Sequence, residues 1–365
     1  MKADPIVCST GPLQAALLAW YTAVRRDLPW RRTRDPYAIW LSETMLQQTR
    51  VATVIPYYQR FLREFPTVGA LAEAPEERVL VLWSGLGYYR RARMLHAAAK
   101  QVARHHGGQL PREAGELRRL TGVGAYTAGA IASIAFGQRE AVVDGNVTRV
   151  LARLYAIGGD VEDSRVRARL WQIADSLVPE GPGEAGDWNQ ALMELGATVC
   201  LPRVPRCDDC PVRASCVARA RGLARELPRT RPKRPPRVVG SVAIVLASRK
   251  AVLLARRRAG ALFGGLWEPP AMEVHEVDTL AARLGRRVDE LERAGQVVHV
   301  LSHRQMKVEV LRGPLGRATR LSPPSSDYDA IERVAWSHVP DRAHGALTRK
   351  ILEVANLTPG GLPSG

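Results

Sequence analysis

The chain has 365 residues, enough for two domains that each close a core, and 46% of them are hydrophobic, which excludes a disordered protein. Its 53 Lys and Arg against 36 Asp and Glu leave a net charge of +17, which points to a polyanionic partner because each neutralised phosphate releases counterions. No apolar run reaches membrane-spanning length and residues 1–11 hold no signal-like apolar stretch, so a cytoplasmic protein without a membrane partner is expected.

From Pro12 to Leu223 the pattern is helical almost throughout. Leu13, Ala16, Leu17, Trp20 and Val24 fall at helical spacing over residues 12–25. Asp35-Pro36 reads as a cap followed by proline at the first helical position, opening a helix through Gln48. Further helices are predicted over residues 55–64, 76–82, 91–105, 114–119, 125–135, 145–155, 164–178 and 188–199, with Gly- and Pro-rich turns between them. Residues 226–237 (ELPRTRPKRPPR) carry four prolines and five basic residues and read as an extended linker. The period then changes. Residues 238–247 and 251–256 are apolar or β-branched runs around a 248–250 turn, and 296–301 with 306–311 make a second strand pair. Residues 279–284 and 346–355 read as helices. The expected organisation is a helical domain over 1–225, the linker, a smaller α+β domain over 238–358, and a tail at 359–365 whose Pro and Gly predict disorder.

Gly122-Val123-Gly124 lies between two helical stretches. Two glycines one residue apart allow a tight hairpin with outward-pointing N–H groups, and the helix that follows presents its N-terminus to a phosphate. A plain helix–helix turn accounts for the pair equally well. About twenty residues on, Asp144 ends the apolar run 141–143 at a helix N-terminus, where a simple N-cap is the ordinary use of an aspartate. Of five cysteines, Cys8 stands alone, while Cys200, Cys207, Cys210 and Cys216 fall within seventeen residues. In a cytoplasmic chain such clustering marks a metal site rather than a disulfide framework, and four thiolates suit a tetrahedral zinc or a 4Fe–4S cluster equally. In the helix after Pro36, Glu43 falls beside Trp40 and Leu46 at the border of the apolar stripe. Burial there would raise its pKa and keep it a proton donor near neutrality. A partly exposed surface glutamate is the simpler alternative.

The pairing of Gly122-Val123-Gly124 with Val143-Asp144-Gly145 resembles the helix–hairpin–helix base-excision glycosylases. The string Trp40-Leu41-Ser42-Glu43-Thr44-Met45-Leu46-Gln47-Gln48-Thr49 is narrower and resembles the adenine DNA glycosylases of the MutY family. Leu28-Pro29-Trp30-Arg31, the run GLGYYRRAR at 85–93 and the cysteine spacing extend the match over most of residues 12–222. The resemblance implies a multidomain protein: an all-α helix–hairpin–helix glycosylase domain with an iron–sulfur loop at 200–216, plus a smaller α+β Nudix-like domain. It implies that Glu43 protonates adenine, that Asp144 faces the anomeric carbon, and that Tyr126 and Asn146 orient Asp144 and the water. Hairpin residues Gly122, Val123 and Gly124 would hold a phosphate. Gln48 and Tyr88 would enter the duplex at the lesion, with Leu86 and Thr49 nearby and Arg31 and Gln190 beside the extruded base. It also implies a 4Fe–4S cluster on Cys200, Cys207, Cys210 and Cys216, with Cys8 unligated and Arg203 and Arg206 against the DNA backbone. Relatives resembling endonuclease III carry Lys where Tyr126 stands, so no Schiff base and a monofunctional enzyme are expected. The implied partner is double-stranded DNA with an adenine mispair, met by a monomer.

Phe263-Gly264-Gly265-Leu266-Trp267-Glu268-Pro269-Pro270 resembles the opening of the family's Nudix-like domain. Nudix hydrolases need clustered glutamates on a helix for magnesium, and LAARLG at 280–285 has none, so the domain is expected to read the opposing base. The family's Phe-Ser-His loop stands here as Leu301-Ser302-His303, with Ser302 and His303 offered to 8-oxoguanine. The expected activity is removal of adenine paired with 8-oxoguanine or guanine in base-excision repair. A glycosylase for thymine or uracil opposite guanine, a non-catalytic damage sensor and a pyrophosphatase are the rivals. The Glu43 string, the pair of carboxylates and the missing acidic helix weigh against them in turn.

Overall fold

The computed structural model describes residues 10–357 except 182, 232–234, 302 and 318, so Cys8, Ser302 and the tail at 359–365 lie outside the described residues. The chain divides into two compact units, Met1–Glu73 with Ala97–Pro232, and Ala74–His96 with Lys233–Gly365.

The helices run α1 (Thr10–Val24), α2 (Pro36–Leu46), α3 (Val51–Glu64), α4 (Val68–Glu73), α5 (Glu76–Trp83) and α6 (Arg90–His105). They continue as α7 (Ala114–Leu117), α8 (Ala125–Phe136), α9 (Gly145–Leu154), α10 (Ser164–Ser176), α11 (Glu184–Thr198) and α12 (Val217–Ala220). Of these, α5 and the first half of α6 belong to the second unit. Asp35 caps α2 by accepting from the Tyr37 N–H at 3.0 Å, with Pro36 at the first position. The helix stops at Leu46, short of the expected Gln48, because Gln48 takes a left-handed backbone (φ +59°). Helix α3 starts at Val51 rather than Ile55, and Pro56 lies inside it at the loss of one backbone bond. Helix α11 begins at Glu184 rather than Trp188, just after Gly183 turns the chain at φ +78°. Leu17 of α1, Val147 and Leu151 of α9, and Trp188 and Leu195 of α11 share one core. A Cβ on Gly196 of α11 would lie 2.6 Å from the Asn146 Cβ, so the absence of a side chain there lets α11 press against the start of α9.

The second unit carries a mixed sheet of β1 (Arg237–Ala247), β2 (Ala251–Arg257), β3 (Trp267–Glu268), β4 (Ala271–Glu273), β5 (Glu292–Val300), β6 (Arg304–Pro314) and β7 (Tyr328–Ala335). The order is β3-β2-β1-β6-β5, with β4 on β1 and β7 on β2; β1 and β6 run parallel and the other pairs antiparallel. Helix α13 (Val277–Arg283) covers one face, where Val242, Ile244 and Leu246 meet Leu280. Helix α14 (Ala346–Val354) covers the other, where Ala243 and Val245 meet Leu347 and Ile351. That double cover explains why β1 reads as a continuous apolar run rather than an alternation. Asp278 is the one acidic residue of α13.

Candidate active site

A cleft of about 850 Å³ in the first unit is lined by Arg31, Glu43, Gln48, Thr49, Gly122, Gly124, Tyr126, Asp144, Asn146 and Gln190. Residues scattered over 160 positions of sequence meet there because α2, α8, α9 and α11 converge on it.

Glu43 sits in the last turn of α2 and is only 5% exposed. Loss of hydration pushes its pKa up to about 7; the Tyr126 hydroxyl and the Arg31 charge pull it down, and the Asp144 carboxylate adds to the rise. Tyr126, in the first turn of α8, donates its hydroxyl to Glu43 Oε2. Its position on α8 aims the hydroxyl at Glu43 on α2, a partner the sequence did not offer, and the Asp144 carboxylate is close enough to act on the same phenol. Burial, together with the two carboxylates, raises the Tyr126 phenol well above its ordinary value, so it stays a donor.

Asp144 caps α9. Its Oδ1 accepts from the Val147 N–H at 2.7 Å and its Oδ2 from Asn146 Nδ2 at 3.0 Å. Burial raises its pKa, opposed by those same bonds. Capping and display are one geometry here, since the cap fixes the carboxylate at the cleft edge. Asn146 is held in turn, its Oδ1 accepting from Arg149 Nη2 at 2.8 Å, while Arg149 also donates to the carbonyls of Gly196 and Cys200, each at 2.7 Å. Sequence reasoning missed Arg149; its signal was the i+3 spacing from Asn146 on one helix. It also missed Glu194, which accepts from Arg31 Nη2 at 2.7 Å. Gln190 is buried and donates to the Gly186 carbonyl at 3.3 Å.

The glycine pair forms the expected turn between α7 and α8. Gly122 takes φ +78°, Val123 is buried, and Gly124 is extended ahead of the free N–H groups of α8. Gln48 is exposed at its left-handed position, and the Thr49 hydroxyl donates to the Gln47 carbonyl at 3.4 Å. Leu86 and Tyr88 belong to the second unit. Leu86 is buried, so what it can offer DNA is its backbone, whereas Tyr88 is 49% exposed with φ +49°. The Arg91 guanidinium lies 5.5 Å from both the Tyr88 and Trp83 ring centroids. In the turn between β5 and β6, Leu301 donates its N–H to the Arg304 carbonyl at 2.7 Å and His303 is exposed.

Two family models match the chain: an HhH-GPD superfamily base excision DNA repair protein over residues 41–176 and a NUDIX domain over 241–354. The adenine DNA glycosylase of Rattus norvegicus is 38% identical over 400 residues, covering 93% of this chain and 77% of that one. That of Homo sapiens is 40% identical over 370 residues, covering 83% and 67%. The chain belongs to the adenine DNA glycosylase family. It is therefore a glycosylase, a helical HhH-GPD domain followed by a Nudix-like domain with a mixed sheet. Among solved structures, a thermostable thymine-DNA glycosylase is 32% identical with a TM-score of 0.53, covering 58% of this chain and 97% of that one. A trapped endonuclease III–DNA covalent intermediate shares the fold at 23% identity, with a TM-score of 0.50 and 59% and 99% coverage.

In this member of the family the four clustered cysteines line one small cavity together with Arg153, Arg206, Arg213 and Arg219. Burial and the neighbouring thiols push Cys210 up to about 11. Among the described residues no group of His, Cys, Asp and Glu stands at ligand geometry for a metal ion. The donor set nevertheless fits an iron–sulfur cluster in kind: four half-buried thiols face a common void with no imidazole or carboxylate among its walls. The buried Arg153 donates to Cys200 Sγ at 3.2 Å and to the carbonyls of Leu201 and Pro202, which ties the loop to α9.

Proposed function

We propose that this glycosylase hydrolyses the N-glycosidic bond of adenine paired with 8-oxoguanine or guanine in duplex DNA. One observation carries the reading: a buried carboxyl titrating at about 7 shares a cleft with a second, capped carboxylate. An extruded adenine occupies the cleft, with Arg31 and Gln190 beside it. Glu43 donates its proton to the base and makes it a better leaving group, while Tyr126 holds the carboxyl in place. As the C–N bond breaks, positive charge grows on the sugar, and Asp144 stabilises it, steadied by Asn146. Water then adds to the anomeric carbon, leaving its hydroxyl on the sugar and giving its other proton to the Glu43 carboxylate, which restores the acid. The cleft lining contains no lysine among the described residues, which supports a monofunctional enzyme without a Schiff base.

Extrusion costs a few kcal/mol of lost stacking, and the exposed Tyr88 ring, with Gln48, is the group that would fill the gap. Leu301, Ser302 and His303, in the segment between β5 and β6, would read the opposing base. Cys200, Cys207, Cys210 and Cys216 would hold a 4Fe–4S cluster, which would cross-link their loop and carry redox capacity while the carboxylates do the hydrolysis. The exposed Arg203 and Arg206 would lie along the phosphates, and the protein would act as a monomer in the cytoplasm.

The thymine-DNA glycosylase likeness favours one second reading, removal of thymine opposite guanine. A single-turnover assay separates them, using duplexes with adenine opposite 8-oxoguanine, guanine or thymine, and thymine opposite guanine. Adenine loss fastest opposite 8-oxoguanine and absent opposite thymine supports the proposal. Thymine release with adenine untouched overturns it.

A further inference from the structure

Glu194, on α11, is 1% exposed, yet both its carboxylate oxygens are used. Its Oε1 accepts from Arg26 Nε at 2.7 Å, and its Oε2 accepts from Arg26 Nη2 at 2.8 Å and Arg31 Nη2 at 2.7 Å. Arg31 also donates to the Arg26 carbonyl at 3.1 Å and lies 5.5 Å from the Tyr21 ring centroid. Two N–H donors of the Arg31 fork are thus held by fixed partners, and its guanidinium lies against the Tyr21 ring. Burial alone would raise the Glu194 carboxyl, but the two guanidinium groups outweigh it and hold it below its usual range.

Arg31 and Glu43 line the same cleft. Arginine forms strong bidentate pairs with carboxylates, and such a pair would lock Glu43 in its ionised form. An ionised carboxylate has no proton to give. We propose that Glu194 is a positioning residue that ties Arg31 into the cleft wall and thereby keeps Arg31 from pairing with Glu43. This rests on the reading of Glu43 as the acid. The groups facing Glu43 are the Tyr126 hydroxyl on α8, the Asp144 carboxylate at the cap of α9 and Arg31 itself. Removing the Glu194 charge acts on Glu43 in one direction by two routes: Arg31 is released toward it, and the neighbouring positive charge is no longer neutralised.

The test uses the full-length protein. Glu194→Gln is expected to move the alkaline fall of single-turnover adenine release down by about one pH unit or more. Infrared titration of the protonated carboxyl band, assigned by its loss in Glu43→Gln, should move with it. Adding Arg31→Gln to Glu194→Gln should move that titration back toward the wild-type pH, because the Arg31 cation that acts on Glu43 is gone, while Arg26, which also loses its Glu194 partner in the same cleft, remains. An unmoved carboxyl titration in Glu194→Gln overturns the proposal, as does a double variant that stays fully shifted. Glu194→Asp, which keeps the charge on a shorter arm, serves if Glu194→Gln does not fold; it should titrate nearer to wild type than to the shifted position reached when Arg31 pairs with Glu43, and a full shift overturns the idea. Should the wild type release no adenine, the adenine reading fails, and the infrared titration still decides the role of Glu194.

Discussion

A carboxylic acid that works near neutrality must prefer its neutral form in the fold, and burial imposes that preference on Glu43 at a cost in stability. Its pKa rises from 4.5 to about 7. Below the lower value both folded and unfolded chains hold the proton. Between the two values the unfolded chain has lost it while the folded chain keeps it, so stability declines as pH rises through this window and is level above it. The full decline is roughly 3 kcal/mol. Glu43→Gln removes it: urea melts should show the variant up to about 3 kcal/mol more stable than wild type at pH 8, and equal to it near pH 4. The same substitution should lower single-turnover adenine release by about 10²- to 10⁴-fold. In the wild type, release should fall as pH rises through about 7, while binding of an uncleavable duplex stays flat across that range. The position of Glu43 beside Trp40 and Leu46 was legible from helical spacing. The Tyr126 bond was not, because it joins positions 83 residues apart and depends on how α8 lies against α2.

Short elements store the conformations that the site needs. Gly85 and Gly87 take φ +103° and +74°, as glycines readily do, but Tyr88 and Gln48 hold φ +49° and +59° with side chains attached. A non-glycine residue there costs about 1–2 kcal/mol, and strain of this kind gathers where function needs it. Tyr88→Gly should therefore leave the thermal midpoint unchanged or higher while slowing adenine release from a fully paired duplex. Release from an adenine already placed in an unpaired bubble should suffer much less, which single-turnover rates on the two substrates would show; equal losses on both would mean the ring does not fill the gap. Glycine pairs announce such turns in a sequence, whereas a left-handed tyrosine gives no local signal. The same limit hid α4 and α12, too short for a period to develop, and β7, where Asp329, Glu332 and Arg333 interrupt the apolar residues. Strand β7 is defined by its pairing with β2, which is a tertiary fact.

At the scale of the molecule, the change of period after the Pro-rich segment and the charge of +17 are global properties, so they survive in the sequence where single contacts do not. The cysteine loop joins that charge to the fold. Arg203, Arg206, Arg213 and Arg219 are exposed around it, and Arg153 anchors it to the helix that Asp144 caps. A bound cluster would fix those arginines in one arrangement; without it the loop keeps only its anchoring bonds. The purified protein should be brown, with about four irons per chain, and a colourless protein with a single zinc would overturn the cluster. Oxidative removal of the metal should weaken duplex binding more at low salt than at high salt. Each phosphate contact that the loop surrenders should reduce the slope of log K against log salt by about 0.9. Charge in a fixed arrangement, rather than net charge, then sets affinity: four thiolates on a doubly positive cluster carry about −2, so losing the cluster makes the chain more positive while the slope falls. An identical slope before and after removal would place the phosphate contacts elsewhere, at the hairpin around Gly122 and Gly124.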